Sequence, residues 1–131
     1  MLREVRVREY MTGCPYTLTP ETSIFEAIRE FLHRRITGAP VVDERGRLVG
    51  LFSEIESLEA LIKACYYEEG NPKVGEFMER AFTTVTPEDS VLEVAKRFAE
   101  TMQRNFPVVE GGRLVGIISR MDVLKAALAL Y

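Results

Sequence analysis

Apolar and polar positions follow two different periods along this chain, and the same succession of periods occurs twice. Ile24, Ala27, Ile28, Phe31 and Leu32 recur at helical spacing, as do Val91, Val94, Ala95, Phe98 and Met102. Each run predicts an amphipathic helix with one apolar face turned to a core. Ser23 with Glu26, and Ser90 with Glu93, stand at the head of these runs as capping boxes, in which serine and glutamate satisfy the first free amides of a helix. Short β-prone pairs, Thr17-Leu18 and Thr84-Val85, come just before and are closed by Thr-Pro-Glu. After each helix the period is lost in two continuous apolar runs, Pro40 to Val42 and Leu48 to Phe52 in one case, Pro107 to Val109 and Leu114 to Ile118 in the other. Such runs around a short Gly-containing turn read as hairpins of buried strands. A second helix closes each succession, carried by Ile55, Leu58, Leu61, Ile62 and Cys65, and by Val123, Leu124, Ala127, Leu128 and Tyr131.

The two successions are copies of one unit. A shift of 67 positions lays Val7 to Met11 on Val74 to Met78, Thr19-Pro20-Glu21 on Thr86-Pro87-Glu88, and Pro40-Val41-Val42 on Pro107-Val108-Val109. One residue is then lost because the turn at Asp43 to Gly46 is longer than that at Glu110 to Gly112. Beyond it Gly46 to Gly50 matches Gly112 to Gly116, and Ser53 matches Ser119. Repeats of this length predict stacked structural units. The only stretch of linker composition is Glu68 to Pro72, so the boundaries are set at 1–67 for the first repeat, 68–73 for the linker and 74–131 for the second. The fold class is α+β. A unit of this size buries too little surface to stand easily alone, so the two β-α-β-β-α repeats are expected to pack sheet to sheet about a pseudo-twofold axis, leaving a pair of clefts.

Composition narrows the chemistry. Lys and Arg total 17 against 20 acids, a formal net charge of -3, which gives no basic field for nucleic acid or an anionic membrane. No segment is apolar for long enough to span a bilayer and nothing at the N-terminus reads as a signal peptide, so a cytoplasmic location is expected. His33 is the only histidine; it lies in a helical run and reads as a surface residue. Cys14 and Cys65 form no CxxC, which leaves disulfide and zinc readings without support. No hydrolase, metalloprotease or dinucleotide motif occurs, so neither a catalytic residue nor a metal ligand is assigned.

The order Met, Thr-x-x-Pro, Ser-x-x-Glu, Pro-Val-Val and Gly followed by Ser-x-x-Asp, present twice, resembles the cystathionine-β-synthase (CBS) domain pair, often called a Bateman module. The resemblance covers nearly the whole chain. It implies a regulatory fold without catalysis, whose clefts hold an adenosine-containing ligand, AMP, ADP, ATP or S-adenosylmethionine. It also implies a homodimer and an unidentified regulated protein as partners.

The candidate site residues centre on Gly116-Ile-Ile-Ser119-Arg-Met-Asp122. Ser119 should cap a helix whose N-terminus favours a phosphate, and Asp122 can offer its carboxylate oxygens to the paired hydroxyls of a ribose. Ser-x-x-Asp is also close to a plain cap; the Gly-led strand before it and the match to the family motif favour a ligand. In the first repeat the run ends in Glu56, which is read as a cap, with Glu54 where the second repeat has Arg120. By resemblance to the family, Cys14, Ile36, Thr37 and Gly38 are expected near the adenine, and Arg104 and Asn105, with Arg120, near phosphate. The alternative function is a dimerisation or interaction scaffold that binds no ligand.

Overall fold

Ser23 and Ser90 start the two helices that the periodicity predicts. The computed structural model describes residues 1–67 and 70–131; Glu68 and Glu69, which open the expected linker, and the Tyr67 side chain lie outside the described residues. Ser23 accepts a hydrogen bond from the Phe25 amide at the head of α1 (Ile24–Arg34), and Ser90 accepts one from the Glu93 amide at the head of α4 (Val91–Glu100). The predicted hairpins are β2 (Gly38–Val42) with β3 (Leu48–Ser53), and β4 (Asn105–Glu110) with β5 (Arg113–Ser119), each antiparallel. α2 (Glu54–Tyr67) and α5 (Arg120–Leu128) follow β3 and β5 without an intervening residue. A two-residue strand β1 (Thr12–Gly13), a four-residue helix α3 (Val74–Phe77) and two single-turn 3-10 helices, Leu2–Glu4 and Val7–Glu9, make up the other elements among the described residues. The fold is therefore α+β, with a sheet and helices in each copy.

The chain divides into two compact units that do not follow the sequence repeats. A contiguous unit comprises Tyr16–Phe82, and a split unit joins Met1–Pro15 to Thr83–Tyr131. In the contiguous unit Leu18 bridges Val41 in parallel fashion, and Glu79 bridges Leu51 on the far side of the hairpin. In the split unit Val85 bridges Val108, and β1 pairs with β5 through Thr12 opposite Ile117 and Gly13 opposite Gly116. The expected first strands are thus single bridging residues. The segment that opens each sequence repeat pairs with the hairpin of the other repeat, so Met11 serves β5 and Met78 serves β3. A Cβ placed on Gly116 would lie 2.9 Å from Met11 Sδ and 2.9 Å from the Thr12 carbonyl oxygen; one on Gly50 would lie 2.6 Å from Met78 Sδ.

Each unit has its own buried apolar cluster. Leu18, Ile24, Phe31, Val41, Phe52, Ala60, Val74 and Met78 belong to that of the contiguous unit, and Val7, Val85, Val91, Val94, Phe98, Phe106, Val108, Ile118, Val123 and Ala126 form that of the split unit. Phe98 and Phe106 stack at 4.0 Å between centroids. Each exchanged segment contributes core residues, Val7 to one unit and Val74 with Met78 to the other. The dependence of one repeat on the other, expected from size, is met by this exchange.

Several apolar positions fall outside the cores. Leu32 is 76% exposed because it stands about 100° round the helix from Phe31, and the buried stripe of α1 is Ile24, Ala27 and Phe31. Met102 is 93% exposed: α4 ends at Glu100 and the chain continues extended, where the Gln103 side chain holds it by donating to the carbonyls of Thr83 and Asn105. On α2 the buried residues include Ser57 and Ala60, while Ile55, Leu58, Ile62 and Cys65 are exposed. On α5 Val123 and Ala126 are buried and Leu124 and Leu128 are exposed, while Tyr131, also exposed, lies beyond the end of the helix. These apolar residues were expected to form the closing helices, and all but Tyr131 do, on the solvent side.

The turn of the β2–β3 hairpin is organised by Asp43, whose Oδ1 accepts from the backbone amides of Arg45 and Arg47 at 2.9 Å each. The Arg47 amide does most to hold the Asp43 carboxyl below its ordinary value, with partial desolvation opposing it and the Arg45 amide adding a lesser lowering.

Candidate functional site

Five of the nine residues singled out from the sequence meet at one corner of the split unit, where β5 runs into α5. Asn105, the first residue of β4, stands opposite Ser119, the last of β5. The Arg120 amide donates to the Arg104 carbonyl at 3.4 Å, and the Arg120 guanidinium donates to the Gln103 carbonyl at 3.1 Å. Gln103 was not foreseen, yet it ties the corner together. Its side-chain oxygen accepts from the Thr83 amide at 2.6 Å, and its amide nitrogen donates to the carbonyls of Thr83 and Asn105 at 3.1 Å each. Comparison of the repeats hid it, because the matching position in the first repeat is Ile36.

Ser119 caps α5 as expected. Its Oγ accepts from the Asp122 amide at 3.2 Å, and Asp122 Oδ2 in turn accepts from the Ser119 amide at 2.8 Å and the Ser119 hydroxyl at 2.9 Å. Both bonds to the carboxylate fall on the same oxygen, so capping occupies one of its two acceptor atoms. Asp122 is half-buried, whereas Arg104 and Arg120 are exposed. The corner presents two guanidinium-bearing residues and a carboxylate beside the N-terminus of a nine-residue helix, a setting that favours an anion.

The equivalent corner of the contiguous unit has the same hydrogen-bond plan with a different charge. Glu56 Oε1 accepts from the Ser53 amide at 2.8 Å and from the Ser53 hydroxyl at 2.7 Å. The contrast drawn from the sequence, a cap for Glu56 and a ligand contact for Asp122, is therefore not a contrast in hydrogen bonding: both acids cap. Asp manages this because the Ser119 amide and hydroxyl both point to one carboxylate oxygen. Ile36, Thr37 and Gly38 lie in this unit. Thr37 accepts from the Glu54 amide at 3.0 Å, and Gly38 stands opposite Ser53 so closely that a Cβ there would be 3.1 Å from the Phe52 carbonyl oxygen.

Cys14 belongs to the split unit but not to its Ser119 corner. It follows Gly13, which pairs with Gly116, three residues and about 10 Å along β5 from Ser119. It is exposed and has a left-handed backbone, φ 47°. His33 is exposed on α1, as expected for a surface histidine. Among the described residues no group of three His, Cys, Asp or Glu side chains is placed to hold a metal ion, and no helix is long and apolar enough to cross a membrane.

Residues 7–62 and 74–129 each match the model of the CBS domain family. The chain belongs to the CBS-domain family. Solved CBS pairs share its fold: CBSX2 of Arabidopsis thaliana, whose crystal structure is in complex with AMP, is 30% identical with a TM-score of 0.84, over 95% of this chain and 97% of that one. The CBS domain pair of protein MJ0100, solved in complex with 5-methylthioadenosine and S-adenosyl-L-methionine, is 26% identical with a TM-score of 0.82, over 97% and 98% of the two chains. Among curated relatives, the A-adding tRNA nucleotidyltransferase of Aquifex aeolicus is 33% identical over 94% of this chain, and the chloroplastic CBS domain-containing protein CBSX1 of Arabidopsis thaliana is 30% identical over 95% of it. This CBS pair spans 14% of the former's length and 64% of the latter's.

Proposed function

We propose that this CBS pair is a regulatory module that binds an adenosine-containing ligand, of the class AMP, ADP, ATP or S-adenosylmethionine, at the Ser119–Asp122 corner and passes the bound state to a partner protein. The observation that carries the reading is the corner itself. A half-buried carboxylate with one oxygen committed to the cap stands beside two arginines at a helix N-terminus. Asp122 Oδ1 accepts the ribose hydroxyls, while Arg120 and Arg104, with Asn105 beside them, face the phosphate. The AMP complex of CBSX2 and the methylthioadenosine and S-adenosylmethionine complex of MJ0100 support the ligand class. The role is binding and signalling, with no reaction of its own.

A thermal-shift series with adenosine, AMP, ADP, ATP and S-adenosylmethionine tests the reading. A ligand that binds only the folded state adds about 2.7 kcal/mol of stability at 100 times its dissociation constant, so at least one of the series should raise Tm clearly. A second reading, an interaction scaffold with no small ligand, is favoured by the completeness of the cap: Ser119 and Asp122 already satisfy each other as Ser53 and Glu56 do. No shift with any of the series decides for the scaffold.

A further inference from the structure

The two corners share one hydrogen-bond plan and one acid at its centre, Asp122 or Glu56, and differ in charge at the positions around it. Where the split unit has Arg104, Arg120 and Asp122, the contiguous unit has Thr37, Glu54 and Glu56. One helical turn further on, Lys125 of α5 corresponds to Glu59 of α2, and both are exposed. The backbone contact from the first helical residue to the loop before the hairpin is the same in each, Arg120 to Arg104 and Glu54 to Thr37. Geometry alone therefore makes the corners equivalent, and only the side chains distinguish them.

We propose that the Ser119 corner alone accepts an adenosine ligand carrying phosphate, and that Glu54 and Glu56 are the specificity residues that exclude such a ligand from the Ser53 corner. The inference rests on the adenosine-binding reading above and goes beyond it in fixing the ligand's charge class and number. A phosphate brought to the N-terminus of α5 meets two guanidinium groups and one carboxylate. At α2 it meets two carboxylates in the first helical turn, Glu54 and Glu56, and a third at Glu59. Like charges a few ångströms apart in a partly screened setting oppose binding even after solvent weakens them. The methylene that Glu56 adds over Asp also moves the carboxylate away from where a ribose would meet Asp122's. A ligand without phosphate meets no charge penalty at either corner, so charge separates the two for a phosphate-bearing ligand, and the longer Glu56 side chain adds a smaller difference at the ribose.

Calorimetry on the full chain with AMP and with adenosine, before and after substitution, tests this. Wild-type protein should bind one AMP per chain. The double variant E54R/E56D should bind a second AMP, with affinity at the new site raised at least tenfold. The neutral double variant E54Q/E56Q keeps a side-chain acceptor for the cap of α2 and should show the second AMP more weakly; it serves if the charge reversal unfolds the unit. Two equivalent AMP sites in the wild type, or a folded variant that still binds one, would overturn the proposal. Binding of adenosine with AMP excluded from both corners would also overturn it while leaving adenosine recognition standing. Failure of both compounds to bind the wild type removes the adenosine-binding reading and this inference with it.

Discussion

Gly116 lies against Met11, a residue 105 positions earlier in the chain and the hallmark of the other repeat's opening segment. The contact leaves no room for a side chain: the Thr12 carbonyl oxygen, a backbone atom, would sit 2.9 Å from any Cβ there. Gly116→Ala is expected to push β1 off β5 and to destabilise the split unit by about 1–3 kcal/mol, the usual range for overpacking. Gly50→Ala meets first the Met78 side chain, 2.6 Å away, and the Glu79 carbonyl only at 3.2 Å, so Met78→Ala should recover part of its loss. Chemical denaturation of the single and double variants checks both statements; additive losses in G50A/M78A would show that the glycine answers to something other than the methionine.

Asp122 combines two duties, and they can be separated by substitution. Asp122→Ala removes the carboxylate half of the capping box at the head of α5, leaving the Ser119 bond to the residue-122 amide, and should cost about 0.5–2 kcal/mol. Asp122→Asn keeps an oxygen to accept from the Ser119 amide and hydroxyl, so its stability should stay closer to that of the wild type. Both should weaken AMP at least tenfold. The ribose reading also requires that 2′-deoxy-AMP bind more weakly than AMP, by about 1–3 kcal/mol for the lost partner. Equal affinities in a titration calorimeter would remove Asp122 from the ribose contact.

Exposed apolar side chains occupy matching positions on the closing helices, Leu58 and Ile62 on α2, Leu124 and Leu128 on α5. Repetition of the same exposed pair on both copies fits a surface that meets a second copy of this chain, since isolated apolar residues need no explanation but grouped ones mark interfaces. Sedimentation equilibrium at micromolar concentration should give twice the mass of one chain. I62E/L128E should shift it to the single-chain mass with both units still folded. A wild-type monomer at that concentration would refute the assignment.

Asp43 gives the contiguous unit an acid-sensitive turn. Its folded pKa lies below the ordinary 3.8, first through the Arg47 amide and then the Arg45 amide. A depressed carboxyl contributes stability that is complete above the unfolded value and is lost as pH falls through the folded one. The stability difference between wild type and Asp43→Asn should therefore be level from pH 5 to 7 and shrink below about pH 4. Thermal melts of the two proteins across that range, showing a difference that grows on acidification, would contradict the turn's role.

Most of the fold was legible because its signals are local. Ser23 and Ser90 announce their helices by the residues next to them, and the hairpins follow from apolar runs on either side of a Gly turn. The exchange of opening segments was not legible, because Met11 and Gly116 carry no shared pattern; aligning the repeats places Met11 over Met78 and gives no hint of which hairpin each will join. Leu58 and Ile62 placed the helix α2 but not its inner face. Helical spacing reveals that a face is apolar but not what it meets, and the smaller Ser57 and Ala60 turn out to be buried. At the site, the sequence led to Ser119, Asp122 and the arginines, and missed Gln103, whose role depends on a loop carbonyl at Thr83 that no motif specifies.

The split unit also orders events during synthesis. Residues 16–82 are complete once Phe82 has been added, so the contiguous unit can fold while the rest of the chain is still being made. Residues 1–15 have no such freedom: β1 needs β5, a strand that emerges later, and Val7 must wait for Val91, Phe98 and Ile118. At about 5–20 residues per second, residues 1–15 stay without their partners for several seconds after residues 16–82 have found theirs. A strand made late thus recruits a segment translated well before it, and the split unit closes only when Met1–Pro15 meets Thr83–Tyr131.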